Sequence, residues 1–180
     1  MYIFAIITDL HIINLPSWYK EFTNKYLSRP IPHITLIQPR YIEEKAEHEL
    51  IKKLTHDLKK YQKFLSLKIQ AKGFIPFDEH TGFMIQTPHK HILNLQKTIR
   101  KMIPKELELY FPPGIEYEQN FRPHLTMADL IPENEFTDIV KKYNLEELHF
   151  DVEVHSILFT LTKDFSNEEN MSEENHYKIL

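Results

Sequence analysis

The sequence predicts a mixed α and β chain built in two echoing halves. Two observations carry this. Segments with the two-residue period of strands alternate with segments at helical spacing, in the order βαβαββαβαββ. The tetrad Pro-His-x-Thr also occurs twice, as Pro32-His33-Ile34-Thr35 and as Pro123-His124-Leu125-Thr126, each opening a strand-like run with similar elements around it. Pro and His each number 11 among 180 residues, so chance would rarely write this pattern once, let alone twice.

The elements follow from local pattern. Residues 2–8 (YIFAIIT) are short, aromatic and β-branched, a buried strand. Trp18, Phe22 and Tyr26 recur every fourth residue after a Pro-Ser start, a helix with an apolar stripe. The first motif begins an extended segment, HITLIQP, that Pro39 is expected to stop. Residues 42–61 place Ala46, Leu50, Leu54 and Leu58 on one face of a charged helix. Leu65, Leu67, Ile69 and Ala71 alternate with polar residues, a half-buried strand whose expected partner is TGFMIQT at 81–87. Ile92, Leu95, Ile99 and Ile103 define a second long helix, closed by Pro104. The segment YFPPGIEYEQNF (110–121) reads as an irregular connection leading to the second motif strand around 124–128. A short helix with proline near its start follows at 132–143, then a long alternating strand, LHFDVEVHSILFTLT (148–162). Residues 164–176 are acidic and polar, an expected mobile loop before a last strand, HYKIL.

Composition narrows the chemistry. With 42% hydrophobic and 12% aromatic residues, 180 residues suffice for one domain with a real core. A formal charge of −4 argues against coating nucleic acid through a broad basic face. Without cysteine there are no disulfides, thiolate nucleophiles or sulfur-rich metal sites. Three scattered glycines, Gly73, Gly82 and Gly114, build neither a phosphate-cradling loop nor a dinucleotide fingerprint. The first apolar run lacks a basic leader and meets Asp9, and no stretch is long enough to span a bilayer. A cytoplasmic, monomeric protein without membrane association is expected.

In a strand, side chains alternate faces, so His33 and Thr35 point together while Ile34 and Leu36 point to the opposite, apolar layer; His124 and Thr126 relate likewise to Leu125 and Met127. If the halves face each other, two imidazoles and two hydroxyls converge. Two histidines suit phosphoryl chemistry that needs a proton acceptor for the attacking oxygen and a donor for the departing one. Hydroxyls beside them can stabilise non-bridging oxygens. No metal or cofactor is needed, and zinc is the weaker reading, because two histidines require further ligands, threonine is a poor one, and FDEH (77–80) would supply carboxylates only by chance of folding.

The paired P-H-[IL]-T segments, with YIFAI at the start, FRPHLTM and FDVEVHSILFTL, resemble the 2H phosphoesterase superfamily, and within it the bacterial 2′-5′ RNA ligase and cyclic phosphodiesterase-like branch. The resemblance covers nearly the whole chain. It implies an α+β fold of two pseudo-symmetric lobes over 1–180, each an antiparallel sheet with outer helices, around a central cleft. It places the catalytic positions on His33 and His124 and the phosphate-binding hydroxyls on Thr35 and Thr126. It implies metal-free hydrolysis of a 2′,3′-cyclic or related phosphate on a nucleotide or RNA end, with 2′-5′ RNA ligation or 2′-5′ phosphodiester cleavage as the alternative. Many relatives carry a basic residue shortly after the second motif, where this chain has MADL with Asp129. Arg122 is the candidate substitute, and a binding module without turnover is the rival of another class.

Arg122 also suggests the division of labour: its charge would favour a neutral His124, the general base, leaving His33 as the acid. Phe121 and Tyr41 are candidates for contact with the substrate's base. His48, His56, His89, His91, His149 and His155 are read as solvated or without role, and the lysine runs on helix ends as solvated faces.

Overall fold

The computed structural model describes residues 1–27, 32–77, 80–163 and 176–180. The strands are β1 (Tyr2–Ile13), β2 (His33–Ile42), β3 (Lys68–Pro76), β4 (Phe83–Gln86), β5 (His124–Ala128), β6 (His149–Thr162) and β7 (His176–Lys178). The helices are α1 (Tyr19–Tyr26), α2 (Glu44–Leu58), α3 (Lys90–Met102), α4 (Gly114–Gln119) and α5 (Phe136–Lys142). Residues 164–175 of the acidic segment lie outside the described residues, and His176 already belongs to β7.

The strands form one antiparallel sheet in the order β2-β1-β6-β3-β4-β5, with β7 against β6. The long β6 joins the halves, pairing along β1 with most of its length and with β3 through residues 149–153. The fold is thus α+β, and the two motif strands stand at opposite ends of the strand order. They nonetheless converge, because Cα atoms of β2 and β5 come within 8 Å of each other. Right-handed twist and the bulges in β1–β2, β1–β6 and β3–β4 give the sheet this curl.

The helix stripes bury as their spacing requires. Tyr19, Phe22 and Tyr26 of α1, Leu50, Leu54 and Leu58 of α2, and Ile92, Leu95 and Ile99 of α3 join one core with Phe4, Ile6, Ile34, Leu36 and Phe159. Ala46 is exposed, in the first turn of α2, before the helix reaches the sheet. Phe4 stacks on Phe159 with centroids 4.8 Å apart across the central strand pair. Among the described residues, no helix is long and apolar enough to cross a membrane.

Two expectations change. Pro39 does not stop β2, which runs on to Ile42. It sits at a register shift between the pairs Ile6↔Ile37 and Phe4↔Arg40, on an edge strand, where its missing N–H breaks no ladder bond. The connection 110–121 is also not irregular throughout, because it holds α4. Pro112 and Pro113 lie just ahead of that helix, where absent N–H groups cost nothing.

Candidate active site

Each motif begins an edge strand, and its proline explains itself there. The Pro32 carbonyl accepts from Leu10 N–H at 3.1 Å, and the Pro123 carbonyl accepts from Thr87 N–H at 2.8 Å. Proline thus ends the approach loop without an unpaired donor, while its carbonyl aligns the first turn of strand with its neighbour. Alternation does the rest. His33, Thr35, His124 and Thr126 are half-buried, whereas Ile34, Leu36, Leu125 and Met127 are buried.

The neighbours differ between the two halves. In the ladder, Asp9 stands directly opposite His33, and Gln86 directly opposite His124. Asp9 is itself held in place, with Oδ2 accepting from Ser156 Oγ at 3.4 Å and lying 3.3 Å from His155 Nδ1. His155 occupies the register shift of β6 opposite Asp9 and Leu10. The first histidine therefore faces a carboxylate and the second an uncharged amide.

Tyr117 on α4 connects the motifs. Its hydroxyl donates to the Thr35 carbonyl at 2.9 Å. Its ring meets the His124 ring edge to face, with centroids 5.6 Å apart at 90°, and Phe121 on another side at 5.7 Å. Burial and the Glu118 charge push the Tyr117 phenol well above its ordinary range, so it keeps its proton and stays a donor.

α4 is fixed to β2 by a buried carboxylate. Glu118 accepts from Gln38 N–H at 3.0 Å through Oε1 and from Arg40 at 2.7 Å through Oε2, with Arg100 Nε 3.7 Å away. Gln96 of α3 donates to the Glu118 carbonyl at 3.3 Å. Nothing in the sequence reading singled out Tyr117, Glu118 or Arg40. The available signals were a charged Arg40 inside an apolar strand run and the Pro-Pro-Gly start before IEYEQ.

His124 Nδ1 lies 2.9 Å from the Arg122 carbonyl. In the neutral ring Nδ1–H donates to that oxygen, leaving the Nε2 lone pair available. Burial lowers the His124 pKa, partly offset by this hydrogen bond. The cause is burial and not the Arg122 charge: the Arg122 side chain is exposed, and its backbone contact raises the pKa.

Of the other candidates, Phe121 is half-buried beside Tyr117. Tyr41 lies near the far end of β2, six residues and about 20 Å of strand from Thr35, with its ring against Tyr110 at 5.8 Å. His89 caps α3 by accepting from His91 N–H at 3.3 Å, a local role. Asp78 and Glu79 of the FDEH segment lie outside the described residues. Among the described residues, no three His, Asp or Glu side chains gather as a metal site.

Comparison with known proteins agrees with this fold. The chain is similar in fold to a structure of Kluyveromyces marxianus Usb1, with a TM-score of 0.53 at 10% identity over 87% of this chain and 92% of that one. No curated protein matches the sequence. The family model of the 2′-5′ RNA ligase superfamily matches residues 8–162, a span that contains both motif strands and α4, and the chain accordingly belongs to that superfamily of 2H phosphoesterases.

Proposed function

We propose that the chain hydrolyses a cyclic phosphate, 2′,3′-cyclic or related, on a nucleotide or RNA end by general acid–base catalysis without a metal. The observation that carries this is the approach of two H-x-T strands with half-buried imidazoles and hydroxyls, bridged by Tyr117, which bonds the Thr35 carbonyl and packs on the His124 ring. Water attacks phosphorus while neutral His124 takes its proton at Nε2. The bond from phosphorus to one ribose oxygen breaks, and protonated His33 supplies the proton to that oxygen, giving a phosphomonoester and a free hydroxyl. Thr35 and Thr126 donate to the non-bridging oxygens as charge develops there.

The assignment of base and acid rests on unequal surroundings. His124 has its Nδ1–H committed to a carbonyl, a lowered pKa and an uncharged amide opposite. A carboxylate stands opposite His33, the partner that a cationic acid prefers. Arg122 remains our candidate for substrate contact, since it is exposed next to the second motif, and Phe121 beside Tyr117 is the candidate aromatic surface. The superfamily's description favours one second reading, attack by an RNA 5′-hydroxyl in place of water, which would form a 2′-5′ linkage with the same histidine pair.

The test is turnover of 2′,3′-cyclic nucleotides, 1″,2″-cyclic phosphates and 2′-5′-linked dinucleotides, all with EDTA present. Hydrolysis that EDTA leaves intact, and that His33→Ala or His124→Ala slows by about 10²–10⁴, supports the reading. A substrate whose leaving group needs no proton should rescue His33→Ala far more than His124→Ala. Rescue of the His124 variant instead reverses the roles. Loss of turnover with EDTA, or wild-type activity in both variants, overturns the mechanism.

A further inference from the structure

The open face of the sheet continues past both motif histidines, and the two rows of side chains that lead away from them differ in charge. Residues directly opposite one another in adjacent antiparallel strands point to the same face. From His33 the row runs to Asp9 on β1 and on to Ser156 on β6, whose hydroxyl donates to the Asp9 carboxylate at 3.4 Å. From His124 it runs to Gln86 on β4, Lys72 on β3 and His149 on β6. Alternation agrees with this face: Lys72 and His149 are exposed and Gln86 is half-buried, whereas Ala71, Ile85 and Phe150 beside them are buried. The wall beyond His33 thus carries an anion, and the wall beyond His124 a cation.

Lys72 differs from an ordinary solvated strand lysine in what surrounds it. Lys68, on the same face four residues earlier, stands directly opposite Glu153, and Gln70 stands opposite Asp151. Lys72 stands between His149 and Gln86, so neither neighbouring strand sets a carboxylate directly across from it. Asp151 is diagonal to it, about 7–8 Å away by Cα spacing, and Glu147 is turned to Asn144, whose amide donates to its carboxylate at 2.7 Å. Neither β4 nor β5 contains an acidic residue. Among the described residues, Lys72 joins no ion pair.

Gly73 shapes the path from Lys72 to His124. At φ +90° it is the extra residue between the pairs Lys72↔Gln86 and Phe74↔Ile85. The Gln86 carboxamide lies over it, with Cδ 3.9 Å from where a Cβ would stand. Two strand spacings, about 9–10 Å, separate Lys72 from His124, and the four-carbon stem of a lysine covers part of that distance. The ammonium is therefore placed to meet a group one ribose away from the phosphate between the two histidines.

We propose that Lys72 is a specificity-determining residue that binds a second phosphate of the substrate, the one on the 5′ oxygen of the ribose whose cyclic phosphate lies between His33 and His124. This rests on the functional reading above. Asp9 repels such a group from the opposite wall, so the charges orient the nucleotide over β4 and β3. The second phosphate is either a terminal 5′-monophosphate or the phosphodiester that continues an RNA chain.

The experiment follows the His124 imidazole by NMR while the full chain is titrated with adenosine 3′-phosphate, adenosine 3′,5′-bisphosphate and a 3′-phosphorylated adenosine dinucleotide, ligands that read the site without turnover. The second phosphate should tighten binding about five- to tenfold. Lys72→Ala should bring that ratio close to one and Lys72→Arg should keep most of it. Lys68→Ala, about 13 Å along the same face of β3, should leave it intact. A gain with the bisphosphate alone assigns a 5′-monophosphate, and a gain with the dinucleotide assigns an RNA chain. A ratio near one in the wild type, a ratio unchanged in Lys72→Ala, or an equal loss in Lys68→Ala overturns the proposal. If no ligand moves His124, the functional reading falls and takes this inference with it; a response to adenosine 3′-phosphate that a second phosphate does not strengthen overturns this inference alone.

Discussion

Tyr117 offers the sharpest test, because its hydroxyl and its ring do different things. Tyr117→Phe removes the hydrogen bond to the Thr35 carbonyl and keeps the ring against His124. A neutral hydrogen bond of this kind contributes about 0.5–1.5 kcal/mol net, which for a chain of this size lowers Tm by about 2–4 °C per kcal/mol. Tyr117→Ala removes the ring as well and opens a cavity, costing about 3–5 kcal/mol by analogy with other aromatic truncations. Water entering that space would relieve the burial that lowers the His124 pKa.

The assay is an NMR titration of the His124 imidazole, which reads the site without any substrate. The wild-type ring should titrate below its ordinary value of about 6.5. The Phe variant should titrate where the wild type does, and the Ala variant should move up toward the ordinary value. In kinetics the acidic limb of the rate profile should follow, staying in place for Phe and shifting to higher pH for Ala, since the base must be neutral to act. Wild-type titration at or above about 6.5, or equal movement in the two variants, would refute the view that Tyr117 shields the base.

Other consequences follow from the same contacts. Glu118→Ala strands Arg40 as a buried cation and should cost about 3–5 kcal/mol, lowering Tm by on the order of 10 °C in a thermal melt; a drop of a degree or two would mean that Arg100 and solvent compensate. Gly82→Ala drives a Cβ into the Ala128 carbonyl at the end of β5, so it should destabilise by about 1–3 kcal/mol or more in urea unfolding. Stability should also fall with pH. His124 holds a lowered pKa in the folded chain, so below about 6.5 the unfolded chain binds the extra proton first and folding weakens until the folded pKa is passed. His89, lowered by burial and by His91 and Lys90, acts in the same sense. Melts across this window should be flatter in His124→Gln than in the wild type; parallel curves would contradict the shift.

The four motif residues were legible because a strand's period is two and the pattern is written twice. His33 and Thr35, like His124 and Thr126, need only local geometry to share a face. What locality cannot supply is the meeting of β2 and β5, which sit at opposite ends of the strand order and approach only because the sheet curls. The device that couples them is likewise nonlocal: Tyr117 reaches Thr35 across 82 positions and Glu118 reaches Arg40 across 78. Each partner left half a signal. Arg40 takes a buried position in an apolar run, and a buried charge demands a counter-charge from elsewhere in the chain. Glu118 sits in a six-residue helix too short for periodicity to reveal. An unexplained charge at a core position of a motif strand was therefore a local clue that a second, unrepeated element closes over the first motif, and α4, announced by its Pro-Pro-Gly start, is that element.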